Sequence, residues 1–573
     1  MDVIFLQFPN KTMEIPPLGT SILVGALKDR GYSVKQYDLN VEIKDALLKK
    51  ENLKYIFDRI LPFLLKMDMT DKSYESMLVL YKLLDFLNSE YSFDKVEKVK
   101  IMLQNRQYVE VFGDKEKTIL FENMLKILSL SSSFFETVVS NDIVEQYFPD
   151  FFFFDMISQI LEKVINYKPM AIGFSVVQMQ RKISVWVCER LRVKFNYKNV
   201  IFFGGSDVTY YKEKYLENFE YIDYAIYQEG ELALPLFLDY IAGKTEIENV
   251  PNLIYRDNGK VEINDPITPC DFDVIVPDFS DLHLQLYLTH ALPMQISRGC
   301  SWGKCTYCKH FRTYGEKYYA GSIENNIRVI KILMEKYKTN LFHFVDDDFP
   351  RVLKNKFCTS VIKNNLNIRW LTYSRLDDKI TYDDMNLWYK AGLRVVEWGL
   401  ESASQKVLDS VNKGINIDNI KRLLFDANKI GLLNKLFMFH NLPEEDYEDL
   451  YTSIQFLKKF VRYGIVRVFW EISTPLELLE GTILYEQAEK NDIFVRVFKP
   501  RGLLEAKAGY VHRCNYQIKQ DIFNKELEDE EEYYKKKGIL NVNDEAIMFD
   551  VIIEELSQFN TLYDSRVKRY VLT

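Results

Sequence analysis

Two stretches of the chain alternate short, wholly apolar runs with helical periodicity; a stretch between them shows helical periodicity alone. Val3–Leu6 is apolar throughout, and Pro16-Pro17-Leu18-Gly19 reads as a turn. Ser21–Arg30 then carries helical spacing that Gly31 ends, and Ser33–Tyr37 alternates as a second strand. The pattern resumes near residue 170. Ala171–Phe174 and Val200–Phe203 predict buried strands, each followed by a small-residue turn (Ser175; Gly204-Gly205) and a helix. Ala225–Tyr227 is a shorter strand leading into Glu229-Gly230-Glu231 and a further helix. Continuous apolar strands alternating with helices predict a parallel, doubly wound sheet. Residues 42–167 read as a helical insertion, with Phe148 and Phe151–Phe154 as its core.

Residues 251–263 carry a hairpin signal with Asn258-Gly259 at the turn, and residues 266–277 read as a linker. A second strand–helix series begins at residue 292, with strands expected at 292–297, 341–345, 368–373, 394–399, 433–439 and 465–472. Six parallel units predict a partial or full TIM-like barrel, whose reactive groups sit at the strand carboxyl ends. The expected fold class is therefore α/β. It comprises a Rossmann-like domain over 1–250, hairpin and linker over 251–289, a barrel over 290–490 and a mostly helical segment over 491–573. The acidic-then-basic run Glu526–Lys537 reads as a solvated helix face.

Composition narrows the class. A length of 573 residues suits two or three domains, and 47% hydrophobic with 27% charged residues excludes a largely disordered chain. No run of 18 apolar residues predicts a spanning helix, and the start lacks a basic region followed by a long apolar stretch, so a cytoplasmic protein is expected. Net charge is 74 − 83 = −9, which removes the usual electrostatic drive toward nucleic acid as a partner.

The seven cysteines (188, 270, 300, 305, 308, 358 and 514) are odd in number, which argues against a disulfide framework. Three fall within nine residues, Cys300-Ser-Trp-Gly-Lys-Cys305-Thr-Tyr-Cys308, directly after the first strand of the second series. Three thiolates so close can hold three irons of a [4Fe–4S] cluster and leave the fourth open. A zinc site with His310 as fourth ligand competes with that reading, although structural zinc is usually held by two separated pairs. Three unrelated buried cysteines are the remaining option.

The run SRGCSWGKCTYC resembles the cluster loop of radical S-adenosylmethionine (SAM) enzymes. It is most similar to the subset with a cobalamin-binding N-terminal domain, where R-G-C-x-W-G-x-C-x-aromatic-C is frequent. Against the commonest spacing, C-x3-C-x2-C, it has one extra residue, which Trp302-Gly303 can absorb. The resemblance implies Cys300, Cys305 and Cys308 as cluster ligands, with Tyr307 beside the SAM. It places Asp346 and Asp347 near the SAM amine, Ser374 and Arg375 at its carboxylate, and Glu401 on its ribose hydroxyls. Asn412-Lys413-Gly414 and Asn441-Leu442-Pro443-Glu444 are similar to further family segments, and the match runs from 290 to about 485.

In the N-terminal part, PPLGTSILVGAL, AIGFSV, FFGGSDV and EGE resemble the cobalamin domain of the same family. They imply cobalamin contacts at Pro17, Leu18, Gly19, Ser175, Gly204, Gly205, Glu229 and Gly230. Neither G-x-G-x-x-G nor G-x4-G-K-[ST] occurs, which disfavours a nucleotide. A degenerate Rossmann domain that only packs against the barrel is the alternative. No histidine precedes His283, so a lower cobalt ligand from a D-x-H-x-x-G motif is excluded within residues 1–250.

The resemblance as a whole implies a C-methyltransferase acting on an unactivated carbon of a peptide or small-molecule natural product. Its cofactors would be a [4Fe–4S] cluster, SAM and cobalamin, with an external electron donor of flavodoxin or ferredoxin type. Ring closure, rearrangement or oxidation with the same cofactors is the second reading, and a zinc-stabilised binding protein the third. Methylthiolation of tRNA fits poorly, because the N-terminal domain has one cysteine, Cys188, and there is no basic tail.

Overall fold

A computed structural model describes residues 1–9, 13–66, 93–107, 115–139, 142–267, 275–469, 476–479, 481–488, 494–497 and 508–512. The chain forms two compact units, one of Met1–Pro269 with Ile275–His290, the other of Cys270–Val274 with Ala291–Thr573.

The first unit is built on a seven-stranded sheet. Its strands are β1 (Val3–Gln7), β2 (Val34–Asp38), β3 (Ala171–Ser175), β4 (Val200–Gly204), β5 (Tyr224–Ile226), β6 (Leu253–Asp257) and β7 (Lys260–Ile263), in the order β2-β1-β3-β4-β5-β6-β7. The first five pair parallel, as the unbroken apolar runs of β1, β3 and β4 lead one to expect. The order β2-β1-β3-β4-β5 is the flavodoxin type, whose switch point lies between β1 and β3. Val3, Phe5, Ala171, Phe202 and Ile226 of the sheet pack with Val24, Leu27, Phe237 and Leu238 of the covering helices.

The hairpin did not remain outside this sheet. β6 pairs antiparallel with β5 through Ala225↔Ile254 and Ile226↔Leu253, so the hairpin forms the sheet's edge. Leu253 and Ile254 are fully buried, and that burial is what draws the hairpin in. Residues 275–290 also return to this unit. Leu288 and Thr289 donate backbone hydrogen bonds to Met13 and Glu14, and the Tyr287 hydroxyl donates to Asp38 at 2.6 Å. His283 and His290 therefore belong to the unit that local patterning leaves free of imidazole. His283 lies 3.9 Å from Glu42, and burial pushes the His290 pKa down to about 4. Of the expected linker, residues 268–274 lie outside the described residues.

Between β2 and β3 the described residues are predominantly helical, including Lys115–Val139 and Phe152–Asn166. Phe153 stacks on Phe135 at 4.9 Å and Phe151 meets Phe134 edge-on at 6.3 Å, so the aromatic cluster is core, as its pattern predicts.

The second unit is built on a six-stranded parallel sheet that matches the predicted barrel strands to within a few residues. Its strands are β8 (Leu292–Met294), β11 (Leu341–Phe344), β12 (Arg369–Arg375), β13 (Leu393–Glu401), β14 (Leu433–Met438) and β15 (Val466–Phe469), ordered β15-β14-β13-β12-β11-β8. A short antiparallel pair, β9 (Ser297–Arg298) and β10 (Tyr319–Ala320), flanks the cysteine loop. Trp370 packs against Phe344 at 5.1 Å and against Phe357 of the helix Arg351–Lys363 at 5.6 Å. Asn434 bridges the strand to the helix Ile417–Ile430, donating to Leu424 O at 3.0 Å while accepting from Trp398 Nε1 at 2.8 Å.

Beyond the barrel, β16 (Glu477–Leu478), β17 (Phe494–Val497) and β18 (Ala508–His512) form a small antiparallel sheet ordered β16-β18-β17. Where the segment from residue 491 is described it is strand, not the expected helix; the rest of it, including Glu526–Lys537 and Cys514, lies outside the described residues. Among the described residues no helix is long and apolar enough to cross a membrane.

Gly205 shows how tightly the β4 turn is drawn. Its φ of 103° and ψ of −178° fall where only glycine rests comfortably, and a Cβ there would stand 2.6 Å from Val176 O. Gly205→Ala is therefore expected to cost about 3 kcal/mol, from backbone strain and backbone overlap together, in reversible urea unfolding; a change below ~0.5 kcal/mol contradicts that reading.

Candidate functional site

The cysteine loop leaves the barrel immediately after β9 and is shaped by contacts that do not involve the thiols. Gly299, with a φ of 77°, passes so close to Lys317 that a Cβ would lie 2.0 Å from its carbonyl oxygen. Trp302 is a wedge. Its Nε1 donates to Asn412 O at 2.8 Å, Arg375 lies 4.7 Å over its ring, and Gly414 leaves room where a Cβ would meet the indole at 2.1 Å. Thr306 N donates to Val411 O at 3.1 Å, and Ser301 donates through backbone and hydroxyl to Asp348.

Cys305 is buried, while Cys300 and Cys308 are part-exposed. Burial first, and neighbouring acidic groups second, push the Cys300 thiol up, and burial drives Cys308 to about 12. Two thiols in that state, Cys300 and Cys308, become thiolates only against a compensating cation. Among the described residues no three His, Cys, Asp or Glu side chains converge on one point as the ligands of a single ion do. Around zinc, tetrahedral sulfurs would stand roughly 3.8 Å apart, whereas a four-iron cluster takes each thiolate on a different iron. The donor set fits the cluster better than zinc. His310, the fourth ligand of the zinc reading, lies 3.4 Å from Asp347 through Nδ1.

Beside the loop lies a buried charged cluster. Lys413 Nζ pairs with Glu401 Oε1 at 2.6 Å and donates to the Tyr307 hydroxyl at 3.2 Å. The Tyr307 ring rests edge-on against Phe439 at 5.2 Å. Glu401 is reached through a bulge between Gly399 and Glu401, with a φ of 70° at Glu401, which bends the end of β13 over the site. Burial opposes the Lys413 ammonium, but Glu401 overcomes it and leaves the Lys413 pKa raised. Arg375 is tied to the same segment through Nη2 to Lys413 O at 2.8 Å.

The expected SAM residues do not all face one way. Tyr307, Arg375 and Glu401 meet around Lys413. Ser374 instead points toward the helix Arg351–Lys363, accepting from Lys354 Nζ at 2.9 Å. Asp346 holds the loop: its Oδ1 accepts from Ile296 N at 3.1 Å, from Ser297 N and from Ser297 Oγ at 2.7 Å. Its other oxygen, Oδ2, is buried without a hydrogen-bond partner, and burial raises its pKa to about 7. Lys413 and the Trp302–Gly414 interlock carry no assigned role in the sequence reading, although Asn412-Lys413-Gly414 marks their place.

In the first unit the expected cobalamin residues all lie past strand carboxyl ends. Ser175 closes β3, Gly204 closes β4, and Gly205 precedes the helix Ser206–Tyr211. Glu229 precedes the helix Gly230–Ile241, and Leu18 begins the helix Leu18–Lys28 after Pro17. Across the switch point Gln180 Nε2 donates to Phe8 O, and Arg181 grips Asp207 with two 2.6 Å bonds. The Gly204-Gly205 turn is thus braced from behind, at the strand carboxyl ends where this fold class receives its ligands.

Residues 294–457 match the model of the Radical SAM superfamily. These residues therefore form a radical SAM domain. Members of the superfamily are enzymes that use SAM and a [4Fe–4S] cluster, and the sulfur set described above accords with the cluster. An uncharacterized methyltransferase of Pyrococcus horikoshii is 27% identical over 352 residues, covering 59% of this chain and 73% of that protein. The anaerobic magnesium-protoporphyrin IX monomethyl ester cyclase of Rubrivivax gelatinosus is 25% identical over 60% of this chain and 64% of its own length. The radical SAM methyltransferase TsrM from Kitasatospora setae, solved with cobalamin and a [4Fe–4S] cluster bound, superposes with a TM-score of 0.55 at 14% identity, covering 90% of this chain and 88% of its own. The fold of this chain is therefore similar to that of this cobalamin-bound protein.

Two outcomes test the site's electrostatics. A carboxyl with a raised folded-state pKa binds its proton more tightly folded than unfolded, so stability declines as pH rises between the two values. For Asp346 that window runs from 3.8 to about 7, and the decline amounts to about 4 kcal/mol. Asp346→Asn should remove this contribution, flattening denaturation stability between pH 4 and pH 7; an unchanged slope refutes the protonated acid. Lys413→Met leaves the Glu401 carboxylate buried and unpaired, and should cost about 3 kcal/mol in chemical denaturation. The double change Lys413→Met with Glu401→Leu should recover most of it.

Proposed function

We propose that this radical SAM enzyme is a cobalamin-dependent C-methyltransferase acting on an unactivated carbon of a peptide or small-molecule natural product, supplied with electrons by a flavodoxin- or ferredoxin-type donor. The observation that carries it is the presence, in one chain, of a three-cysteine loop at the rim of the barrel and a flavodoxin-order unit whose Gly204-Gly205 turn is braced at the carboxyl end of β4. The methyltransferase names among the relatives support the same reading.

When bound, the cluster and SAM supply an adenosyl radical and cobalamin supplies a transferable methyl group. The chain's own residues bind and orient. Cys300, Cys305 and Cys308 would hold the cluster. Arg375, fixed by Lys413 O and the Trp302 ring, offers a guanidinium suited to the SAM carboxylate. Glu401 offers an acceptor for ribose hydroxyls, and Lys413 fixes its position. Ser175, Gly204, Gly205 and Gly230 would let the backbone approach the corrin, with Pro17, Leu18, Gly19 and Glu229 at its margin. The buried flanks of Tyr307 and Phe439 keep water from the reacting groups.

A second reading rests on the cyclase relative: the same radical start, ending in ring closure without methyl transfer. Incubation of the reconstituted, reduced protein with methyl-labelled SAM and substrate should give labelled product together with 5′-deoxyadenosine. Replacing Cys305 by Ala should lower 5′-deoxyadenosine by more than about a hundredfold, the scale expected when a group essential to the reaction is lost. Unlabelled cyclised product selects the second reading, and unchanged 5′-deoxyadenosine from Cys305→Ala refutes both.

A further inference from the structure

Side chains on the barrel strands alternate between a helix-covered face and a lumen face. Phe344, Trp370, Ser374, Trp398 and Asn434 meet helices or each other and are buried. On the other face Tyr373, Arg375, Gly399 and Phe437 are part-exposed, although buried residues flank each of them in sequence. With helices over the outer face, that exposure opens onto the lumen. On this face the Tyr373 and Phe437 rings stand 5.9 Å apart at 38°, Phe437 level in register with Gly399 and Arg375 and Tyr373 one step below.

Both rings are backed by charge or imidazole. Lys435 Nζ lies 5.1 Å from the Phe437 ring centre, and His343 lies 5.2 Å from the Tyr373 ring. Lys435 pairs with Glu397 at 3.1 Å, and both side chains are wholly buried. Branched apolar residues usually fill this level of a barrel, and a buried ion pair costs several kcal/mol per ion in desolvation. Stability alone does not favour such a pair here. Its geometry sets the Lys435 ammonium against the Phe437 ring and fixes that ring in place.

We infer that Tyr373 and Phe437 form a two-ring platform that selects substrates presenting a planar aromatic ring, of which indole is the probe, with Lys435 and Glu397 as positioning residues. This rests on the reading of the barrel as the substrate-binding unit, and it goes beyond it by naming the substrate's chemical class. Flat rings stacked offset on such a platform gain about 0.5–1.5 kcal/mol per pair beyond buried area, which a saturated ring cannot match.

The test is saturation-transfer NMR on the full-length, cluster-loaded protein under anaerobic conditions, with indole and cyclohexanemethanol as probes. Indole should bind in the millimolar range expected of so small a ligand, about tenfold more tightly than cyclohexanemethanol. Tyr373→Leu with Phe437→Leu should remove that preference. Equal binding of the two probes, or a preference surviving the double change, overturns the platform. Lys435→Met with Glu397→Met keeps both rings and a neutral core; it should weaken indole roughly threefold, and unaltered indole affinity overturns the role given to Lys435. Indole binding needs no turnover, so failure of methyl transfer with the preference intact refutes the reaction and spares the platform, and the converse result does the opposite.

Discussion

The second unit depends on a single mechanical constraint: a loop of nine residues must present three sulfurs to one cluster, although buried thiols of raised pKa resist ionisation. The protein meets it by shaping the loop through a ring. Trp302 is held on one side by Arg375, on the other by the open face of Gly414, and at its edge by Asn412 O. The groups that fix the loop are therefore the same groups that fix Arg375 and, through Lys413, Glu401. The cysteine loop, Arg375 and Glu401 share one frame, so a disturbance of any of them reaches the others.

The first unit uses a different device for a similar end. Its Gly204-Gly205 turn is made of backbone, with glycine where a side chain would collide, and the bracing comes from behind, through Arg181 on Asp207 and Gln180 on Phe8 O. Charge sits behind the turn while small residues face forward. A broad neutral ligand gains from close approach along its whole face, which flexible side chains would prevent.

Much of this was legible before any coordinates. The strands Ala171–Ser175 and Val200–Gly204 follow from unbroken apolar runs, and the six barrel strands from their spacing, because a strand buried on both faces has little other way to be written. The cysteines stood out through clustering alone. What local pattern could not reveal was partnership. Nothing in the hairpin's own residues says that Leu253 and Ile254 will pair with β5, nor that Tyr287 will reach back to Asp38. For the same reason His283 and His290 read as belonging elsewhere. Ser374 and Asp346 were placed at the correct strand ends, yet alternation turned Ser374 outward, and burial made Asp346 a clasp for the loop at Ile296 and Ser297. Sequence position gives the strand end; only the register says which way a side chain turns.

The return of residues 275–290 to the first unit carries a consequence for how the protein is made. Until the hairpin leaves the ribosome β5 presents an unfinished margin, and until residues 275–290 follow it the loop at Met13 and Glu14 lacks its backbone partners. Sheet margins left bare during synthesis invite pairing with other nascent chains. The first barrel strand starts at Leu292, directly after the stretch that completes the preceding unit. Separating the halves at residue 250 would thus leave a frayed sheet, whereas a cut after His290 coincides with the natural seam.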